Sequence, residues 1–253
     1  MSENRPEIPR PMRREVRQRC GFGCVICGLP LYEYDHIINY SIVQEHTPEN
    51  LTLLCDQHHR EKTNKLLSIE QVIEANNNPY NVINANTTPY LLNFAGSDFS
   101  VILGDIRQFV PNVNSQNDFI IPFLVNNKRL ISFEIIEGKL FFNLVLLDEH
   151  DNLLLKIVEN EMVFSSEQWD VEFVGRRLTI RKALGVIIFD IEFLIPNSVK
   201  IYKADFNCDG YWFKVREEGF TARGFDIQIK NIGGRLIFAA GEYDGRYPVM
   251  FRG

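Results

Sequence analysis

Two short runs carry donor side chains at a spacing that suits one metal ion: Cys24-Val-Ile-Cys27 and Cys55-Asp-Gln-His58. In each run a two-residue turn separates the donors and aims both at one point, so three thiolates and an imidazole can surround a tetrahedral ion. A set of three cysteines and one histidine leaves no open position, which marks a structural zinc site. The need for it is physical. A module this small has little core, and a structural zinc contributes on the order of 10 kcal/mol to folding.

His59 directly follows His58. On a helix that begins just after Cys55, consecutive side chains lie about 100° apart around the axis, so one imidazole can face the zinc while its neighbour faces elsewhere. The adjacent histidines therefore imply two sites. Asp35, His36 and Asn50 are the further polar groups nearby, and with His59 they make an acid, two imidazoles and an amide.

Short elements must position these groups. From Pro11 a helix is expected, with proline in its first turn and Arg10, Arg14 and Arg17 spaced along one face, where they suit phosphates. Residues 32–38 read as a strand, 39–50 as a loop and 51–54 as a second strand. The pattern turns helical from Asp56 to about residue 67, and Ser68-Ile-Glu-Gln71 has the form of a capping box that opens a further short helix. Because consecutive residues of a regular strand face opposite ways, Asp35 and His36 serve one site only if the strand ends or twists there. His46, inside the loop, reads as solvent-exposed, and His150 sits in an acidic turn with no role.

In these residues and their order the N-terminal part resembles the zinc-containing HNH endonucleases of the ββα-metal (His-Me finger) superfamily. The matching runs are Arg19-Cys-Gly-Phe-Gly-Cys-Val-Ile-Cys-Gly28, Tyr34-Asp-His-Ile37, Glu49-Asn-Leu-Thr-Leu-Leu-Cys55 and His58-His-Arg-Glu-Lys-Thr63. The resemblance covers about residues 13 to 67. It implies that His36 is the general base for water, and that Asp35 and His59 hold one divalent ion, Mg²⁺ or Mn²⁺, at the scissile phosphate. Asn50 would orient His36 or brace the loop, and Arg60 and Lys62 would contact phosphate. Cys24, Cys27, Cys55 and His58 would hold the structural zinc.

A chain of 253 residues has room for a second domain. Asn76-Asn-Asn-Pro79 and Asn84-Ala-Asn-Thr-Thr-Pro89 interrupt regular structure, so the division expected is a nuclease domain with its arm over 1–78, a linker over 79–93 and a larger domain over 94–253. In that last part, apolar runs recur every 8 to 12 residues or so with turn chemistry between them, such as Asn207-Cys-Asp-Gly210 and Gly233-Gly234, which predicts an all-β architecture. The whole is expected to be α+β: a zinc-stabilised ββα finger followed by a β-rich domain, with a strand-turn solenoid slightly favoured over a two-layer sandwich. Trp169, Tyr211 and Trp212 are aromatics that can stack on bases, though packing is the commoner use.

The net charge of −6 argues against a surface that binds nucleic acid all over. Residues 1–67 hold nine basic and nine acidic side chains, so the deficit lies entirely in the remainder and a polyanion is expected to meet the N-terminal part. Five clustered cysteines are too few for a disulfide framework, and no apolar run is long enough for a bilayer, so a cytoplasmic, non-membrane protein is expected. The reading is thus a metal-dependent endonuclease acting on DNA, with RNA left open. By architecture it looks like a bacterial restriction or anti-phage enzyme, with the β-rich domain serving recognition, self-association or a protein partner. The alternative is a non-catalytic zinc-finger module that binds nucleic acid or protein.

Overall fold

The structure, a computed structural model, describes residues 6–110, 113, 116–163, 170–223, 228–232 and 235–240. Trp169 and the Gly233-Gly234 turn lie outside the described residues. The chain divides into two units: Met1–Thr88 with Trp169–Val174, and Pro89–Gln168 with Gly175–Gly253.

The first unit runs α1 (Arg10–Arg19), β1 (Glu33–His36), α2 (Tyr40–Val43), β2 (Leu51–Leu54), α3 (Asp56–Thr63), α4 (Ile69–Asn77) and α5 (Tyr80–Asn84). Proline sits in the first turn of α1, where its missing N–H leaves no bond unmade. The capping box at α4 forms as the sequence predicts: Ser68 Oγ accepts from Gln71 N at 3.2 Å while Gln71 Oε1 accepts from Ser68 N at 2.9 Å. β1 and β2 pair antiparallel, with Asp35 opposite Thr52 and His36 opposite Leu51. Residues 80–84, within the stretch expected as linker, form α5, whose Asn81 is buried and donates to Gly21 O at 2.8 Å.

The core of this unit is small. Val16 of α1, Leu51, Leu53 and Leu54 of β2, Val25, and the thiols of Cys20, Cys24 and Cys55 are buried together, with Ile8, Met12, Tyr32 and Tyr34 packed around them. Each buried Leu or Val contributes about 1.5–3 kcal/mol, so a handful of them leaves the unit dependent on its cysteine knuckles. The first knuckle is closed by Gly28 N donating to Cys24 O at 2.8 Å, with Gly28 at φ +76°. A β-carbon there would lie 2.3 Å from Asn81 Oδ1 and 2.4 Å from the Tyr80 ring, so both the turn and the packing of α5 demand glycine.

The second unit is a large β-sheet structure, as the recurring apolar runs predict. One sheet follows the spatial order Glu161–Val163, Leu153–Val158, Lys139–Leu147, Lys128–Ile136, Gln116–Val125, Arg235–Ala240 and Gln228–Ile232. The other follows Arg177–Ala183, Val186–Leu194, Ser198–Cys208, Tyr211–Arg216 and Gly219–Arg223, with Phe99–Leu103 pairing parallel to Ser198–Cys208. Sequential strands mostly pair as antiparallel hairpins, and among the described residues no sheet closes into a barrel. Phenylalanines of the two sheets meet: Phe123 and Phe206 have ring centroids 5.2 Å apart, and Phe142 and Phe189 6.1 Å. Among the described residues no helix is long and apolar enough to cross a membrane.

Candidate metal centre and catalytic site

The two knuckles converge. Cys24, Cys27, Cys55 and His58 present donor atoms that all lie within 4.8 Å of one another, although they come from a turn and from the start of α3. Cys24 Sγ is 3.4 Å from His58 Nδ1, Cys55 Sγ is 3.2 Å from the same nitrogen, and Cys27 Sγ is 3.8 Å from Cys55 Sγ. A tetrahedral zinc with bonds near 2.3 Å to sulfur and 2.0 Å to nitrogen separates its donors by about 3.5–3.8 Å. The four residues therefore fit, and can hold, such an ion. The thiol chemistry agrees: a hydrogen bond from Cys27 pulls Cys24 down to about 5, while Cys27, as its donor, and Cys55, by burial, are pushed up. Three thiolates this close repel one another, and a bound dication offsets that charge.

His59 faces away from this cluster, as the 100° rotation along α3 requires. Its Nε2 lies 3.5 Å from Asp35 Oδ1 and its Nδ1 3.2 Å from Glu33 Oε2. Glu33 and Asp35 share one face of β1 because they are two residues apart. The His59 ring thus stands between two carboxylates, Glu33 on its Nδ1 side and Asp35 on its Nε2 side. The 3.5 Å between Nε2 and Oδ1 is at the limit of a hydrogen bond, and it suits two ligands of one small cation. The other oxygen of Asp35 is engaged by Lys62, whose Nζ donates to Oδ2 at 2.6 Å and also to the main-chain carbonyl of His36. Lys62 is thus turned inward, tying α3 to the end of β1.

β1 ends at His36, which is 2% exposed and whose ring packs against Tyr40 and His46. His36 Nε2 is 3.0 Å from His46 Nδ1. Asn50 braces the loop: its side chain accepts from Ile38 N at 2.8 Å and donates to Ile38 O at 3.0 Å, and its own carbonyl accepts from Ile37 N at 2.8 Å. Arg19 fixes the far end of the same loop through Pro48 O at 2.7 Å and Leu51 O at 2.6 Å.

Of the arginines predicted to meet phosphate, Arg10 and Arg60 are exposed and Arg14 is half-buried. Arg17 is placed otherwise: its side chain is 6% exposed and its guanidinium is taken up by Asp170, Glu172 and the Tyr34 hydroxyl. In the β-rich unit, Tyr211 and Trp212 are half-buried, with Lys214 Nζ 4.2 Å from the Trp212 ring centre. Asp151, Cys208 and Asp209 also cluster, but Lys128 and Asn126 hold the Asp209 carboxylate, and Asp151 accepts the Asp209 N–H. That group braces a turn.

Sequence reasoning missed two residues. Glu33 gave a signal, since an acid two positions before Asp35 on a strand shares its face. His46 gave none beyond its chemistry, because its approach to His36 depends on how the loop folds back through α2.

Residues 18–65 match the family model described as HNH endonuclease. No curated protein and no solved structure matches the chain. The N-terminal part thus carries a domain of a nuclease family, and the resemblance drawn from its residues holds over that part.

Proposed function

We propose that this nuclease-family domain is a metal-dependent endonuclease that hydrolyses phosphodiester bonds in DNA. The observation that carries the reading is the arrangement of Asp35 and His59, two ligand atoms 3.5 Å apart whose remaining polar atoms are occupied by Lys62 and Glu33, within the segment that matches the family. Mg²⁺ or Mn²⁺ held there would bind the scissile phosphate and stabilise charge on the leaving oxygen. Asp35 and His59 hold that ion, His36 removes the proton from the attacking water, and Asn50 keeps the loop behind His36 in place. Exposed Arg10 and Arg60 meet the backbone phosphates. Cys24, Cys27, Cys55 and His58 hold zinc and keep these elements together.

The β-rich unit we read as a recognition or assembly module, for a partner or for further copies of the chain. Of the two architectures weighed from sequence, the antiparallel hairpins and inter-sheet phenylalanine contacts favour the two-layer sandwich. Five free cysteines fit a reducing compartment such as the cytoplasm, and restriction of foreign DNA is the biological role that this architecture suits.

One observation favours the alternative of a non-catalytic binding module: the His36 ring is almost wholly covered. Plasmid cleavage separates the two. Wild type with Mg²⁺ or Mn²⁺ is expected to nick or linearise DNA, and His36→Ala to abolish it. Equal cutting by both proteins, or none by either, defeats the enzyme reading.

A further inference from the structure

We propose that the outward face of the sheet built on Ser198–Cys208 is a binding surface for a single strand of nucleic acid, with phosphates on Lys200, Lys203, Lys214 and Arg223 and a base against Trp212. The proposal concerns binding alone and stands whether or not the N-terminal part cuts DNA.

Alternation along the strands defines the face. In Ser198–Cys208, Val199, Ile201, Ala204 and Phe206 are buried, whereas Lys200, Asp205 and Asn207 are half-buried. Pairing with Val186–Leu194 shifts register between Asp190 and Ile191, and at that irregularity Tyr202 and Lys203 are both partly exposed. On the neighbouring strand Phe213 and Val215 are buried, while Trp212, Lys214 and Arg216 are half-buried. Trp212 stands opposite Asn207 on one side and Arg223 on the other.

Ion pairing decides the sign of this face. The five strands Arg177–Ala183, Val186–Leu194, Ser198–Cys208, Tyr211–Arg216 and Gly219–Arg223 hold eight basic and three acidic side chains, although the chain as a whole carries −6. Each of the three carboxylates is already taken. Asp190 accepts from Arg177 Nε and Nη2, both at 2.7 Å, and Asp205 accepts from Arg216 Nη2 at 2.6 Å. Glu192 accepts from Arg176 Nε at 2.6 Å and from the Tyr202 hydroxyl at 2.7 Å. Among the described residues no ion pair takes up Lys200, Lys203, Lys214 or Arg223. Their charge is left for a polyanion.

The aromatics narrow the choice of polyanion. Arg177 and Lys200 already lie over the Tyr202 ring, at 4.4 and 4.5 Å from its centre, so Tyr202 serves to hold these cations. Trp212 is half-buried and has Lys214 Nζ 4.2 Å from its ring centre, which sets a phosphate-binding charge beside a stacking platform. The Asn207 amide opposite offers a donor and an acceptor to a base edge. A duplex keeps its bases stacked away from such a ring, and an acidic peptide would use the lysines without it; an unpaired strand uses both.

The test titrates full-length protein carrying His36→Ala, in which cleavage cannot confuse the readout, with a labelled oligothymidine of about 20 nucleotides, longer than the roughly 4–16 that one such domain covers. Lys203→Gln with Lys214→Gln should weaken binding at least about 10-fold at low salt and reduce the salt slope by about 1.4, at about 0.7 for each phosphate, with unchanged melting. Trp212→Leu should weaken binding about 5- to 100-fold and Trp212→Phe less. Lys139→Gln with Lys156→Gln, on the other sheet, should do neither. Ultraviolet crosslinking of the same strand carrying 5-bromouracil should label the peptide that contains Trp212, and this decides the matter if Trp212→Leu fails to fold. Unchanged affinity and slope in the Lys203 and Lys214 pair, an equal loss in the Lys139 and Lys156 pair, or crosslinks only outside residues 198–223 overturns the proposal. So does polyglutamate that displaces the oligothymidine from this face, which would assign it to an acidic protein, or tighter binding of a duplex that Trp212→Leu leaves unaltered.

Discussion

Arg17 and Asp170 stand 153 positions apart in the chain and meet through two hydrogen bonds of 2.8 Å, Nε to Oδ1 and Nη2 to Oδ2. The third nitrogen of the guanidinium donates to the Tyr34 hydroxyl at 2.6 Å and to Glu172 at 3.1 Å. Helix α1, strand β1 and the segment 170–174 are thus joined at one buried cation, which is why that segment belongs to the first unit. An arginine that sequence spacing assigns to phosphate is structural once the chain folds.

Arg17→Ala should therefore destabilise the first unit by about 3–5 kcal/mol, because it leaves the Asp170 carboxylate buried without its partner. Urea unfolding of wild type, the two single variants and the double variant with Asp170→Asn should give a coupling well above 1 kcal/mol, roughly the ceiling for an exposed pair. Arg10→Ala, on the exposed end of the same helix, should leave stability within about 0.5 kcal/mol. It should weaken DNA binding and reduce the salt slope by about 0.9.

The zinc cluster predicts a separation of folding from chemistry. Cys27→Ser should lose zinc and unfold the first unit at a cost of several kcal/mol, whereas His36→Ala should retain both metal and fold. Metal analysis together with near-UV dichroism reads both. Acid acts in the same direction as the cysteine substitution. Zinc needs its cysteine ligands as thiolates, so protons compete with the ion and the stability that binding adds is lost as pH falls. A thermal melt at pH 5 should thus lie below that at pH 8, with zinc released.

Gly28→Ala tests the close approach of α5 to the first knuckle. The left-handed φ costs about 1–2 kcal/mol for any other residue, and the clash with Asn81 adds to it. A loss of at least about 2 kcal/mol in urea unfolding is expected, and Asn81→Ala in the same chain should recover part of it. A neutral Gly28→Ala would mean that α5 does not pack there.

Glu33→Ala probes the second ion without touching a ligand. Its side chain is 59% exposed, so stability should change by less than about 0.5 kcal/mol. With the carboxylate beside Nδ1 of His59 removed, the Mn²⁺ concentration for half-maximal cleavage should rise about 10- to 100-fold. An unchanged Mn²⁺ dependence would remove Glu33 from the site.

The zinc donors were legible from the residue string because their turns are local: Cys24 and Cys27, and Cys55 and His58, are each positioned by three-residue geometry that needs no distant contact. The same holds for the strand-strand-helix order that carries Asp35 and His59, for the capping box at Ser68, and for the recurring apolar runs of the β-rich unit, where strands such as Lys139–Leu147 and Val186–Leu194 form. Side-chain periodicity and backbone preference act over a few residues, and sequence displays them directly.

Three-dimensional packing alone decided the rest. Whether Arg17 met a phosphate or a carboxylate depended on a strand more than 150 positions away. Whether Lys62 pointed to solvent or to Asp35 depended on the distance between α3 and β1, and whether His46 was exposed depended on the fold of its loop and on Pro6. In each case a polar side chain on a short element has several partners within reach, and its choice is set by which of them burial leaves unpaired. That is a property of the assembled unit, because the cost of an unpaired buried charge exists only after the core has closed around it.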